Sequence, residues 1–279
     1  MPHYSYLLFD ADNTLFDFDA ANRNAFHAVC RQCDIPDTDE TFALYERCNN
    51  AMWAAFDRGE CTKDFLVVER FRRFLEAMAL DRDPALCNRI HLKALGESTL
   101  LLPHAEEVCR ALSRTHRLYI VTNAVASVQR SRLHRSAVAP YITDAFISED
   151  AGASKPSRAY FDYVFAHIPG ITRENCLLIG DSPSSDIRGA NNAGIPCCWY
   201  NPQGQPLPGD LDIQYDIRNL NEVREIVEAA REVTGVDFPV KLAPRRAGDP
   251  AVLIASNRKA REVLGWVPQH SDAHTILAS

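Results

Sequence analysis

A run of four apolar residues, Tyr6 to Phe9, stops at Asp10 and is followed two residues later by Asp12, and it constrains this chain more than any other stretch. Continuous apolar runs of this length mark parallel strands covered on both faces. The C-terminal end of such a strand is where open α/β sheets bind ligands, and Asn13 and Thr14 suit a tight turn there. Two carboxylates one residue apart at that address supply an oxygen nucleophile and an acid for a leaving alkoxide, two requirements of phosphoryl transfer from a monoester. Asp10 is the expected nucleophile. The same residues could instead start a turn and cap the next helix, and one DxDxT motif does not choose between the readings.

The pattern after this strand falls into two parts. From Asp17 to about Gly96, apolar residues recur at three- and four-residue spacing (FHAVC, FALYERCNNAMWAAF, FLVVERFRRFLEAMAL), which predicts helices broken near Asp37 to Thr41, Thr62 and Asp83-Pro84. From Leu100 helices alternate with the strands RLYIVTN, AFI, CLLIG, IPCCWY and an edge strand in DIQYDI. That alternation predicts an α/β fold, a doubly wound parallel sheet, with the helical segment inserted after the first strand as a cap over the strand ends. The expected organisation is a catalytic core of residues 1–16 and 97–220, an all-helical cap of 17–96, a junction helix of 221–235 and a distinct tail of 236–279. Asn201 to Asp210, rich in Pro and Gly, reads as a loop.

Three more polar sites share the strand-end address. Thr122 and Asn123 close RLYIVTN; Gly180, Asp181 and, five residues on, Asp186 close CLLIG; Lys155 lies between them in GASKPS. Each has a structural explanation by itself, as turn former, helix cap or solvated charge. Together, four aspartates converging on one mouth would raise one another's pKa unless a cation were present, and oxygen-only ligands select a hard ion such as Mg²⁺.

Composition narrows the partners. A net charge of −7 disfavours a nucleic acid polymer, which needs a basic stripe, but permits one small anion met by a lysine and a metal. No run of about 18 apolar residues and no signal-peptide pattern occurs, so the expected location is the cytoplasm, without membrane attachment. Nine cysteines, an odd number without a zinc-site arrangement, read as free buried thiols; Cys30 and Cys33 form the one CxxC. The sequence leaves oligomeric state open.

In this order the residues resemble the haloacid dehalogenase (HAD) superfamily, in its phosphatase branch. The resemblance implies that Asp10 attacks phosphorus to form an aspartyl-phosphate, and that Asp12 protonates the leaving group and then activates water. Thr122, with Asn123, would hold the phosphoryl group, and Lys155 would bridge nucleophile and phosphate. Mg²⁺ would be ligated by Asp10, the Asp12 carbonyl and Asp181, with Asp186 as ligand or supporting partner. Asp12 counts against dehalogenase activity, since that branch needs no acid at this position. Over about Tyr4 to Leu220 the chain is similar to pyrimidine 5′-nucleotidases, through MWAAFDRGECT, YFDYVFAHIPGI, CCWYNP and YDIRNL, which implies a nucleoside monophosphate substrate. Ala124 replaces the glycine usual after the second motif. Trp53 and Phe56, three apart on one cap helix, either stack on a nucleobase or pack the cap core. A phosphosugar phosphatase of the same fold is the alternative enzyme.

Beyond Gly235 the stretch VDFPVKLAPRRAGDPAVLIASNRKAREVLGW is similar to the C-terminal part of UDP-glucose 4-epimerases, where the resemblance places Arg246 and Asp249 near the sugar-nucleotide diphosphate. The chain has no GxxGxxG or GxG to cradle a dinucleotide pyrophosphate, and none of its tyrosines has a lysine four residues later. Epimerase chemistry is therefore not expected. A fusion, a recombination product or an artificial join would each explain the junction, and the stop at Ser279, short of a tidy helix end, suggests truncation. A sugar-nucleotide-binding module on an inactive scaffold is the reading from outside enzymology.

Overall fold

The structure, a computed structural model, describes residues 4–234. Strand β1 (Tyr6–Phe9) is followed by helices α1 (Phe18–Cys33), α2 (Asp39–Asp57), α3 (Lys63–Ala77) and α4 (Pro84–Glu97). The chain then alternates through α5 (Ala105–Leu112), β2 (Arg117–Thr122), α6 (Ala126–Arg135), β3 (Ile142–Ile147), α7 (Ser148–Ala151) and α8 (Arg158–His167). Strand β4 (Cys176–Gly180), α9 (Arg188–Ala193), β5 (Cys197–Tyr200), β6 (Tyr215–Ile217) and α10 (Asn221–Thr234) complete the order. The six strands pair in parallel in the order β3-β2-β1-β4-β5-β6, so β1 lies inside the sheet. All six expected strands are present. The expected helix from about Ser184 differs: Pro183–Ile187 is a π-helical turn, and α9 starts only at Arg188.

Period-two alternation divides the β1 run between the two faces of the sheet. Leu7 and Phe9 pack with Ile120, Leu177 and Ile179 under Val108 and Leu112 of α5 and Val223 and Val227 of α10. Tyr6 and Leu8 pack on the other face with Val121 and Leu178 under Tyr160, Phe161 and Val164 of α8.

The inserted helices begin where the sequence places their starts. Thr38, Thr62 and Asp83 each accept a hydrogen bond from a backbone N–H of the first turn, and Pro84 sits where its missing N–H costs nothing. Their own core gathers Phe26, Phe42, Tyr45, Phe71 and Phe74, each worth about 1.5 to 3 kcal/mol when fully buried. The two connections to the sheet run side by side: Leu102 N donates to Leu15 O at 2.9 Å, and Asp17 N to Leu100 O at 3.1 Å. Ala21, Ala25 and Leu95 of the insert pack on Val128 of α6, which seats the bundle over the C-terminal ends of the strands. Polar contacts from Lys63 and Ser184 help to hold it there. Lys63 reaches Ser148 Oγ at 2.7 Å and Ala124 O at 3.2 Å, and Ser184 Oγ donates to Asp57 at 3.1 Å.

All nine cysteines are free; Cys48 and Cys61 are only partly buried, short of the full burial expected of them. No described helix is long and apolar enough to cross a membrane. The expected tail of 236–279, with Arg246 and Asp249, lies outside the described residues.

Candidate active site

Parallel register puts the polar residues at one level. Phe9 pairs with Ile120 on one side and Ile179 on the other, so Asp10 just past β1, Thr122 at the last position of β2 and Asp181 just past β4 lie at the same end of the sheet. Asp10 N donates to Ile179 O at 2.8 Å, which fixes the start of the loop. Asn13 then takes a left-handed conformation (φ 59°), one that asparagine tolerates better than most residues. Its Oδ1 accepts from Phe18 N and Asp19 N, so the turn residue also caps α1.

At the centre is Lys155, 1% exposed. Its Nζ donates to Asp10 Oδ1 and Asp186 Oδ1, each at 2.6 Å, and to Val121 O at 2.9 Å, which uses all three ammonium protons. Burial opposes the ammonium charge, but Asp10 and Asp186 outweigh it and hold the Lys155 pKa above the usual lysine value. Burial pushes the Asp10 carboxyl up to about 7; Lys155 pulls it down, and Asp186 and Asp12 add to the rise. Asp181 is also raised, by burial and then by Asp10 and Asp186. Carboxylate oxygens of Asp10, Asp181 and Asp186 lie within 4.8 Å of one another. Three acidic oxygens this close fit a hard divalent cation such as Mg²⁺.

The supporting contacts show how the cluster is held. Thr14 Oγ1 donates to Asp181 Oδ1 at 3.4 Å, and Trp199 Nε1 holds the Asp181 carbonyl at 2.8 Å. Asp186 sits on the π-helical turn, and its Oδ2 accepts from Ser182 N at 3.0 Å. Such turns recur at functional sites.

Thr122 and Asn123 are placed as the sequence predicts, but their side chains are already engaged. Thr122 Oγ1 accepts from Ala124 N at 3.1 Å. Both amide atoms of Asn123 go to the Lys155 backbone: Nδ2 donates to its carbonyl at 2.8 Å, and Oδ1 accepts from its N–H at 3.0 Å. In this arrangement Asn123 fixes the loop that carries the lysine. Ala124 has no left-handed backbone, so the position does not require glycine.

Asp12 has a partner that sequence reasoning missed. Arg132 of α6, fully buried, donates through Nη1 to Asp12 Oδ1, and its guanidinium lies 4.5 Å from the Phe16 ring centroid. Only an arginine nine residues past Asn123, in a helix already rich in arginine, pointed to it. Above these groups is a cavity of about 360 Å³, with Asp10, Asp12, Thr122 and Lys155 on its floor and Trp53, Asn49, Asn50 and Arg70 of the insert in its wall. Trp53 thus faces the cavity; Phe56 packs edge-on against it at 5.7 Å and lies outside the lining.

Comparison with known proteins places the chain in a family. Residues 4–194 match the haloacid dehalogenase-like hydrolase family. The chain is 37% identical over 234 residues to the HAD-hydrolase YfnB of Bacillus subtilis, covering 84% of this chain and all of that one. A crystal structure of YfnB bound to magnesium superposes with a TM-score of 0.77 and 38% identity, over 81% of this chain and 99% of that one. The pyrimidine 5′-nucleotidase PynA of Streptococcus pneumoniae is 34% identical over 226 residues, 81% of this chain and 95% of PynA. A separate likeness, 58% identity over 55 residues, links 20% of this chain to 17% of the UDP-glucose 4-epimerase of Corynebacterium glutamicum. The chain belongs to the haloacid dehalogenase-like hydrolase family and carries in addition a short segment shared with UDP-glucose 4-epimerases.

Proposed function

We propose that this hydrolase is a magnesium-dependent phosphatase of nucleoside 5′-monophosphates, with a preference for pyrimidines, working through an aspartyl-phosphate on Asp10. The observation that carries the reading is the Lys155 ammonium held between Asp10 and Asp186, with Asp12 beside them, beneath a cavity walled by an indole. An Asp10 oxygen attacks phosphorus, and the bond to the ester oxygen breaks as that oxygen takes a proton from Asp12. A water then attacks the phosphoryl group, gives its proton to Asp12, and releases inorganic phosphate and the free Asp10 carboxylate. Lys155 opposes the rise in the Asp10 pKa and orients its carboxylate, and Arg132 holds the Asp12 carboxyl. Mg²⁺, bound by Asp10, Asp181, Asp186 and the Asp12 carbonyl, would offset the charge on the phosphoryl oxygens. The PynA likeness supports the nucleotide substrate, and Trp53 supplies a surface for a base to stack on.

The test is hydrolysis of UMP, dUMP, AMP and phosphosugars, with and without EDTA. Metal-dependent turnover led by the pyrimidine nucleotides is expected. Phosphosugars turned over faster than any nucleotide would move the assignment to a sugar phosphatase.

A further inference from the structure

The wall of the cavity opposite the aspartates carries a chain of hydrogen bonds that begins at Arg70. Arg70, on α3 and 2% exposed, finds only uncharged acceptors: Val67 O at 3.1 Å, Asn49 Oδ1 at 2.8 Å, and Asn88 Oδ1 and His91 Nδ1 at 3.3 Å each. Among the described residues no carboxylate lies within ion-pair distance of it. A buried guanidinium without a counter-ion is costly, and here it borders a cavity.

A guanidinium has no acceptor, so Asn49 must turn its oxygen to Arg70. That leaves Asn49 Nδ2 as the donor to Asn50 Oδ1, at 3.3 Å. Asn50 in turn accepts from Asn49 through its oxygen and has its NH₂ without a protein partner among the described residues. It is exposed and lines the cavity. The relay Arg70 → Asn49 → Asn50 therefore leaves the Asn50 NH₂ as an unpaired donor in the wall that also holds Trp53. The rest of that region is apolar, with Val67, Leu92 and Leu95 among its lining residues.

We infer that this relay is the base-reading element of the enzyme, with the Asn50 amide donating to a ring carbonyl of a pyrimidine base. The inference rests on the nucleotidase reading and deepens it. Uracil and thymine carry two ring carbonyls and cytosine one, whereas adenine carries none. Adenine offers ring nitrogens and an exocyclic amine where a pyrimidine offers those carbonyls, so a donor placed for a carbonyl oxygen is out of position for the nitrogens and meets another donor at the amine, which disfavours AMP. The positive charge of Arg70 polarises the relay and strengthens the terminal donor.

The decisive variants are at Asn50, whose exposure keeps folding out of the question. Asn50→Asp replaces the donor by an acceptor, and Asn50→Ala removes it. Values of kcat/KM are measured for UMP, CMP and AMP, with p-nitrophenyl phosphate as a substrate without a base. Asn50→Ala should lower UMP on the order of tenfold relative to p-nitrophenyl phosphate, mainly through KM. Asn50→Asp should lower it further and shift the UMP-to-AMP ratio toward AMP. A loss shared by UMP and CMP assigns the bond to the carbonyl they have in common, and a loss confined to UMP assigns it to the other one. Equal changes in all four substrates, or none, overturn the inference while leaving the phosphatase intact. Failure of the unmodified enzyme on every nucleotide, with p-nitrophenyl phosphate hydrolysed, would remove the nucleotidase reading and the inference together.

Discussion

Asp186 lies so close over Gly180 that a β-carbon on the glycine would stand 2.4 Å from the Asp186 Cγ. The glycine at the end of β4 is there for the room it leaves, since its backbone conformation is an ordinary one. Gly180→Ala should therefore move Asp186 off Lys155 and out of the acidic cluster, at about 1 to 3 kcal/mol of overpacking. Weaker magnesium binding by calorimetry, with unchanged circular dichroism, is the expected result. Unaltered magnesium affinity would show that Asp186 is dispensable to the cation.

Asp10→Asn should abolish turnover, because an amide cannot take the nucleophile's part. Asp12→Asn should cost about 10²- to 10⁴-fold in kcat with UMP. It should cost much less with p-nitrophenyl phosphate, whose leaving group scarcely needs a proton. The same loss on both substrates would assign the acid elsewhere.

Arg132 touches Asp12 directly, so its removal should resemble a partial loss of Asp12. Arg132→Met is expected to lower kcat for UMP at least tenfold more than for p-nitrophenyl phosphate, and Arg132→Lys should restore part of the difference. Parallel losses on both substrates, accompanied by a lower Tm, would make the arginine a packing residue only.

The insert should weaken in acid through His91. Burial, with the Arg70 guanidinium beside it, holds the His91 pKa well below the usual histidine value. The unfolded chain binds a proton near pH 6.5 and the folded one does not. This contribution to stability is thus complete above that pH and declines as pH falls, by up to about 1.4 kcal/mol per unit until the folded pKa is reached. Tm measured from pH 7.5 to 5 should fall less steeply in His91→Gln than in the parent. Equal slopes would mean that His91 takes up its proton without unfolding.

Asp10, Thr122, Lys155 and Asp186 all precede α10, whose Val223 and Val227 complete one face of the sheet core. A chain ending at Gly235 retains that helix and should keep kcat and KM for UMP unchanged. A loss of activity, measured side by side with the full chain, would show that residues 236–279 contribute to the phosphatase.

Trp53→Ala should raise KM for UMP more than for a phosphosugar, since a base stack is worth about 1 to 3 kcal/mol. Equal rises on the two substrates, with a lowered Tm, would return the indole to a packing role.

The sheet and the polar residues at its strand ends are legible in the chain alone. Apolar runs such as Tyr6 to Phe9 and Cys176 to Ile179 allow little but buried parallel strands, and the polar residue at a strand end can be read from where the run breaks. Asp10, Thr122 and Asp181 were legible for that reason, and Lys155 followed from its place in the motif order. Tertiary structure alone decided which side chains meet across large separations. Arg132 lies 120 positions from Asp12, and nothing in an arginine-rich helix marks the one guanidinium that turns inward. Asn123 reads as a phosphate ligand because an amide suits that task, yet the fold spends both its atoms on the Lys155 backbone. The relay from Arg70 to Asn50 was equally hidden. Hydrogen-bond polarity is a property of three side chains brought together, and in the sequence each is only one more polar residue on a helix.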